Sequence, residues 1–419
     1  MHNLTLDLLL ALVSETYPSG RVVTTAYDGA NRVSQVSGLM NGLATTYAIP
    51  SGYCPHGEPE WITYGNTLVR GFLYNSRLQP TYIADALNNS AQQFLSQFQL
   101  NWGTTNNNGN LLAVSEGYSL TPSPNLTWLN QNYSYDGVNR LTAVSDSGYS
   151  RAFAYDPFGN GWVTQNSGVP LAGNTPVSNV YAATGRNQIS GASYDAAGNQ
   201  LSVNGDTMVY DAEDRRVSAT DGMTHGVENY FYGGAGQRVE KAGRGGTTVY
   251  VYDALGQLAA EYSTAANIPS CTTCYLSSDH LGSIRLVTDQ IGNVVARHDY
   301  LPFGEEILAN TVGRGSQWGS TTDVTQNFTG KERDGRQGGK ASIDIYKPAD
   351  DKTVRPTRRS RLVSRDRAAI QKQSNRRYSP PVTCGKTPPL ASVALVEAGI
   401  SIVDSGILRG VGLVRSQNI

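Results

Sequence analysis

Lysine is nearly missing from the first 330 residues, where Lys241 stands alone, and the 419-residue chain holds only five histidines and four cysteines. Hydrophobic residues make up 39 %, and no apolar run approaches the roughly 18–20 residues that cross a bilayer. A transmembrane helix is therefore not expected. The opening stretch LTLDLLLALV has no basic flank and no small-residue cleavage site, and Asp7 interrupts it, so it does not read as a secretory leader. It reads instead as a strand or as a fragment of something longer. The cysteines are Cys54, Cys271, Cys274 and Cys384, with a single CxxC pair. One such pair without a second pair or spaced histidines is a weak metal signal, and a local disulfide or free thiols remain open. Phenylalanine is scarce beside tyrosine, 8 against 24, whereas glycine is abundant at 45. That balance suits short strands joined by tight turns, with tyrosine packing its ring and keeping its hydroxyl near a polar partner. It excludes a helical bundle.

The net charge of −1 conceals two compositions. Residues 1–330 carry 15 basic against 26 acidic residues, and residues 331–419 carry 18 against 8. The first part is a candidate host for a basic guest, and the second is a basic tail.

One pattern recurs along the acidic part. It appears as AYDGANR (26–32), SYDGVNR (134–140), AYDPFGN (154–160), SYDAAGN (193–199), VYDAEDR (209–215) and VYDALGQ (251–257). A degenerate FYGGAGQR occupies 231–238, and LYNSR at 73–77 replaces the aspartate by Asn75. Spacings near 20 residues correspond to one hairpin, two strands of about 5–6 residues with their turns. The chemistry of each position supports that reading. Tyr27, Tyr135, Tyr155, Tyr194, Tyr210 and Tyr252 end a strand. Asp28, Asp136, Asp156, Asp195, Asp211 and Asp253 open a turn by accepting backbone N–H bonds. Gly159, Gly198 and Gly256, or an asparagine, supply the left-handed position. Residues between copies alternate, as Leu141, Ala143 and Ser145 do against Thr142 and Val144, and no helical period of useful length precedes residue 330.

Two histidines sit beside aspartates in DHLGSIRLVTDQIGNVVARHDYLPFGE (279–305). IRLVTD and VVARHDY read as strands around a QIGN turn with Gly292 left-handed. Successive strand residues point to opposite faces, so His298 and Asp299 are poorly placed to share a metal. Asp279-His280 reads as a turn start. Glu305-Glu306 reads as a solvated edge, and Trp61, Trp102, Trp128 and Trp162 as packing residues that could stack on sugars. Nucleotide-binding glycine motifs are absent. No catalytic residue, metal ligand or cofactor is expected.

The YDxxG repeats, followed in order by DHLGSIRLVTD, YLPFGE (300–305) and FTGKERD (328–334), resemble the Rhs/YD-repeat proteins and their repeat-associated core. The resemblance covers residues 15–334. Its core motif comprises Asp279, His280, Leu281 and Gly282, then Tyr300, Pro302, Phe303 and Gly304, then Gly330, Lys331 and Glu332. It implies an all-β fold, a spiral of antiparallel hairpins forming part of a hollow teneurin-like shell. The implied organisation is an N-terminal piece (1–14), a YD-repeat shell (15–274), a core segment (275–334) and a divergent basic tail (335–419). It further implies a bacterial, secreted or cell-surface, non-enzymatic scaffold that encloses or presents a C-terminal toxin, with immunity or secretion partners. Glycan binding is the alternative; a nucleic-acid-directed toxin in the tail is the lesser one.

The chain departs from the family after FTGKERD: no ARYY, GRF or DPxG pattern comes after it, so self-cleavage is not expected. The tail is rich in arginine, with Tyr346 and Tyr378 its only aromatics. It has three readings: a cationic effector, a disordered basic arm, or an out-of-frame translation beginning near codon 335. The abrupt loss of pattern favours the last, which makes this an incomplete copy. Reading the coding DNA across codons 325–350 in all frames decides among them.

Overall fold

A strand that ends in Tyr-Asp-x-x-Gly can only turn back on itself, and a chain of such strands becomes a ribbon. The computed structural model describes residues 3–6, 11–87, 93–172, 175–181, 187–252, 258–264, 271, 273–319 and 327–330. Asp253, Gly256, Lys331, Glu332 and the 335–419 tail lie outside them. The described residues form three antiparallel sheets and no α-helix. Fourteen strands, from Asn3–Leu6 to Gly161–Ser167, come one after another in sequence order in the first sheet. Eight more, from Ser193–Tyr194 to Leu258–Ser263, do so in the second. The third consists of Tyr275–Ser278, Ile284–Thr288 and Val294–Arg297. Among the described residues no sheet closes on itself.

The turn that drives this is nearly invariant in geometry. The N–H of its first residue donates to the carbonyl four residues on, and the N–H of its fourth donates back to the carbonyl of its first. This happens at Asp28, Asn75, Asp136, Asp156, Asp195, Asp211, Gly233, Asp279, Asp289 and Leu301. The fourth residue has positive φ, as at Gly159 (φ 92°) and Asn139 (φ 67°). This is the three-residue hairpin loop with its bulge, and the pairing register shifts at the preceding tyrosine, as at Tyr27, Tyr135 and Tyr232. Leu78 and Asp214 adopt the same left-handed conformation, with φ 64° and 60°. The sequence pattern alone, which led to glycine or asparagine there, misses them.

Because these turns come after every second strand, the YD copies all lie along one rim of the ribbon. Their tyrosines lace that rim. The hydroxyl of Tyr155 donates to the Leu141 carbonyl (2.7 Å), Tyr135 to Leu111 (2.8 Å), Tyr27 to Leu12 (3.0 Å), Tyr232 to Arg216 (2.8 Å) and Tyr252 to Arg238 (2.8 Å). For Tyr155, Tyr232 and Tyr252 the acceptor is the first residue after the preceding turn on that rim. Phenylalanine cannot make this bond, which gives the tyrosine excess a physical cause. Burial raises the hydroxyl pKa of Tyr53 to about 12 and lifts those of Tyr135 and Tyr155 above the ordinary value, so each stays a donor.

The arginine that closes a turn binds twice. Arg140 pairs with Asp136 (2.7 Å) and lies over the Tyr155 ring (4.9 Å); Arg215 pairs with Asp211 (2.7 Å) and lies over Tyr232 (5.1 Å). Arg32 repeats the arrangement with Asp28 (2.5 Å) and Tyr53 (5.2 Å). The backbone N–H of Arg140, acting against slight desolvation and helped by the guanidinium, holds the Asp136 carboxyl below its ordinary range.

The ribbon also comes back to its start. Val251 and Tyr262 of the second sheet pack on Tyr17, Val23, Val36 and Tyr47 of the first, and the Ser19 N–H donates to the Tyr262 hydroxyl (3.4 Å). Replacing Tyr155 by Phe removes one lacing bond and leaves the ring. The expected cost is about 1 kcal/mol, read as a lower urea midpoint at unchanged slope.

Candidate functional site

The third sheet is the most deeply buried part of the molecule: all residues of Tyr275–Ser278 and Ile284–Thr288 are buried. It lies on the inner face of the first sheet and is fastened there along its length. The Asn66 side-chain amide donates to Thr288 Oγ1 and to the Asp289 carbonyl (2.9 Å each). Arg70 bonds the Ser278 carbonyl, and Asp85 accepts from Arg70 (3.0 Å), Ser96 (2.8 Å) and Ser277 (2.7 Å). Arg297 donates to the carbonyls of Leu95 (3.1 Å) and Ser119 (2.5 Å).

Arg70 and Arg151 lie six strands apart in the first sheet, about 29 Å if it were flat at 4.8 Å per strand. The third sheet and its trailing loop reach both, Arg70 through Ser278 and Arg151 through Glu305, so the segment lies across these strands of the first sheet. Where the low hydrophobic content leads one to expect an open cavity wall, this inner face is covered. Ile62, Tyr64, Leu68 and Leu95 pack on Tyr275 and Leu286, and Val144, Phe153 and Val163 pack on Leu301 and Ile307.

At the centre sits Asp299, 0 % exposed. Its carboxylate accepts from Arg285 (2.7 Å), from Arg314 Nη2 (2.5 Å) and Nε (3.0 Å), from Gln131 (3.3 Å), and from the Tyr300 N–H (2.8 Å). Arg285 also binds Glu116, and Arg314 also binds Asp146 (2.6 Å). Burial alone would raise the Asp299 pKa, but the two guanidiniums outweigh it and hold the carboxyl below its ordinary range. His298 turns away to a separate partner, its Nδ1 lying 2.7 Å from Glu306 Oε1. The two lie just past the end of the strand Val294–Arg297 and hold different partners.

Glu305 and Glu306 are not a solvated edge. Both are buried; Glu305 binds Arg151 and accepts from Thr175 (2.7 Å), and Glu306 meets His298. The reversal has a cause. Tyr300 to Glu306 is a tight turn rather than a strand, closed by the Leu301 N–H to the Glu305 carbonyl (2.7 Å), and it returns both carboxylates inward.

The remaining core-motif residues take structural positions. Asp279 Oδ1 accepts from the N–H groups of Leu281 (2.9 Å) and Ser283 (3.0 Å), and Gly282 has φ 81°. His280 meets the Trp102 ring edge-on at 5.7 Å, and burial lowers its pKa. The Tyr300 hydroxyl donates to the Ile284 carbonyl (3.1 Å) and its ring meets Phe328. Pro302 is the first loop residue of its turn, Phe303 meets Phe153 edge-on at 5.0 Å, and Gly304 has φ 94°. Gly330 has φ 65° and its N–H donates to the Asn327 carbonyl (3.2 Å). Cys271 and Cys274 form a disulfide within the cluster of Leu276, Ile284, Val287 and Ala296.

In the repeats, Asp156 and Asp195 accept from Asn160 and Asn199, which replace arginine there, and Gly198 has φ 92°. Tyr194 receives the Ile189 N–H on its hydroxyl (3.0 Å), and Tyr210 closes its strand opposite Arg216. Sequence reasoning misses Glu116, Asp146, Arg285 and Arg314. The available signal is phase: Glu116 shares the inward face with Val114, and Arg70 with Leu68.

No family model and no curated protein matches the sequence. Solved structures do match. Two crystal structures of TcdB2-TccC3, one of them with Cdc42, superpose with TM-scores of 0.61 and 0.60 at 17 % and 16 % identity over 80 % of this chain. A structure of the Photorhabdus luminescens Tc holotoxin pore superposes with TM-score 0.60 at 15 % identity over 96 %. The chain spans about a fifth of those chains, 19 to 22 %. The shared property is the fold: an open ribbon of antiparallel hairpins.

Replacing Asp299 by Asn removes the carboxylate shared by two buried guanidiniums, leaving Arg285 with Glu116 and Arg314 with Asp146. The expected loss is about 3–5 kcal/mol, measured by chemical denaturation and accompanied by faster amide exchange in Ile284–Thr288.

Proposed function

We propose that this chain is a wall segment of an Rhs-type β-shell, a non-enzymatic scaffold that encloses or presents an effector attached C-terminally, in a secreted or cell-surface toxin system. The observation that carries this reading is the covered inner face. The core segment is cross-linked to strands across the first sheet, and these cross-links hold the ribbon against the later part of the chain. The likeness to Tc toxin shells supports the same role, as does the partnering of the central charges: Asp299, Arg285 and Arg314 are held in mutual ion pairs, an arrangement suited to joining walls.

A second reading, a glycan-binding surface, rests on two exposed tryptophans of the outer face. Trp61 and Trp128 end one cross-strand row, Trp61–Gly71–Ala84–Gln97–Gly117–Trp128. Each ring lies over the neighbouring glycine, where an added Cβ would stand 2.4 Å and 3.0 Å from the indole. The rings are therefore partly committed to covering the sheet, and the scaffold reading is preferred.

The test is a folded reporter fused to the C-terminus of the full chain and exposed to a nonspecific protease. Enclosure predicts that the fused reporter is lost more slowly than the free one, with protection abolished by Asp299→Asn. Equal rates would remove enclosure. Glycan-array binding lost in the Trp61→Ala, Trp128→Ala double variant would promote the second reading.

A further inference from the structure

The ionic joint supports its carboxylates unequally. Glu116, Asp146 and Asp299 share two guanidiniums, those of Arg285 and Arg314. Asp299 has five donor groups, and Asp146 has Arg314 and the N–H groups of Gly148 (2.6 Å) and Tyr149 (2.9 Å). Glu116 is bonded to Arg285 alone, and Arg285 is shared with Asp299. Phe98 and Leu129 stand opposite it on the flanking strands, and the Arg297 guanidinium acts on it through space. Burying a carboxylate whose one donor is shared is costly. The least supported carboxyl is the one that a proton would relieve.

We propose that Glu116 is a proton-operated catch, which fastens the third sheet to the inner face of the first more tightly in mild acid than above neutrality. The catch concerns the joint itself and holds whether or not the shell encloses a cargo. Burial raises the Glu116 pKa from the ordinary 4.5 to about 7, Arg285 opposing and Asp299 adding to the rise. In the folded protein the carboxyl therefore keeps its proton to higher pH than in the unfolded chain. The stabilisation from holding that proton is complete below about pH 4.5 and is lost as the pH rises through about 7. A protonated Glu116 still accepts the Arg285 bond through its carbonyl oxygen.

The charged and titratable groups around the catch are few. Arg285 comes from the third sheet, Asp299 and Arg314 from the segment after it, and Arg297 adds its field. Asp279 reaches Arg285 at 3.7 Å, and His280 feels both. His298 and Glu306 form their own pair in the same segment. The Asp299 carboxyl, held low, does not exchange its proton in this range.

The experiment is amide exchange of Ile284–Thr288 in the full chain, corrected for intrinsic rates, between about pH 5 and 8. One linked proton predicts protection that falls up to about tenfold per pH unit over the rise. Glu116→Gln, a neutral isostere, should abolish the slope and show at about pH 8 the protection of the parent at about pH 5.5. His298→Gln should keep the slope. In parallel, carbon-13 labelling of glutamate carboxyls in the parent protein should show one group titrating near neutrality, independent of any variant's folding. No slope in the parent, a slope retained in Glu116→Gln, a slope lost in His298→Gln, or no glutamate titrating above about pH 6 would each overturn the catch.

Discussion

A ribbon one strand deep has no interior of its own. Hairpins added in sequence order make a sheet with two faces and two ends, and neither face is dry until something is laid against it. That constraint governs the whole structure. The first sheet buries its inner face by packing on the core segment, and the second buries part of its end by meeting the first sheet's beginning. The repeats therefore define the wall, whereas the core segment covers its inner face.

The joint between them is ionic at its centre and apolar around it. Leu286, Tyr275, Leu301 and Ile307 contribute area, while Asp299, Arg285 and Arg314 contribute a unique register. Apolar contacts alone tolerate a slip of the third sheet along the first. A slip here would separate guanidiniums from carboxylates in a place where neither can be hydrated, at a cost of several kcal/mol. Buried ions of this kind add little net stability but select one arrangement among many, which is what a long repetitive surface requires.

How much of this is legible in the sequence depends on which interactions are local. The YD turns are: aspartate, left-handed residue and closing arginine lie within five positions, so strands, rim and tyrosine roles can be read directly. The all-β ribbon emerges from those copies and the ordered core motifs. The central joint is not local. Glu116 and Arg285 are separated by 169 residues, Arg314 and Asp146 by 168, and neither pair leaves a spacing signal. Glu305-Glu306 misleads for a related reason, since an acidic pair in a presumed strand suggests solvent until the turn at Leu301 sends both inward. Leu78 shows the converse limit: the hydrogen-bonded frame of the turn imposes a left-handed backbone on a residue that does not favour it.

The lacing of one rim restricts how such a wall can change length. Tyr155 reaches Leu141 because both belong to the rim that carries the YD turns, and an even number of strands separates successive tyrosines of the set. Gaining or losing a single strand would send every later motif to the opposite rim and break the tyrosine bond that spans the change. Gaining or losing two leaves the lacing in step. Walls of this design can lengthen or shorten only in whole hairpins, so their sizes form a ladder of discrete steps rather than a continuum.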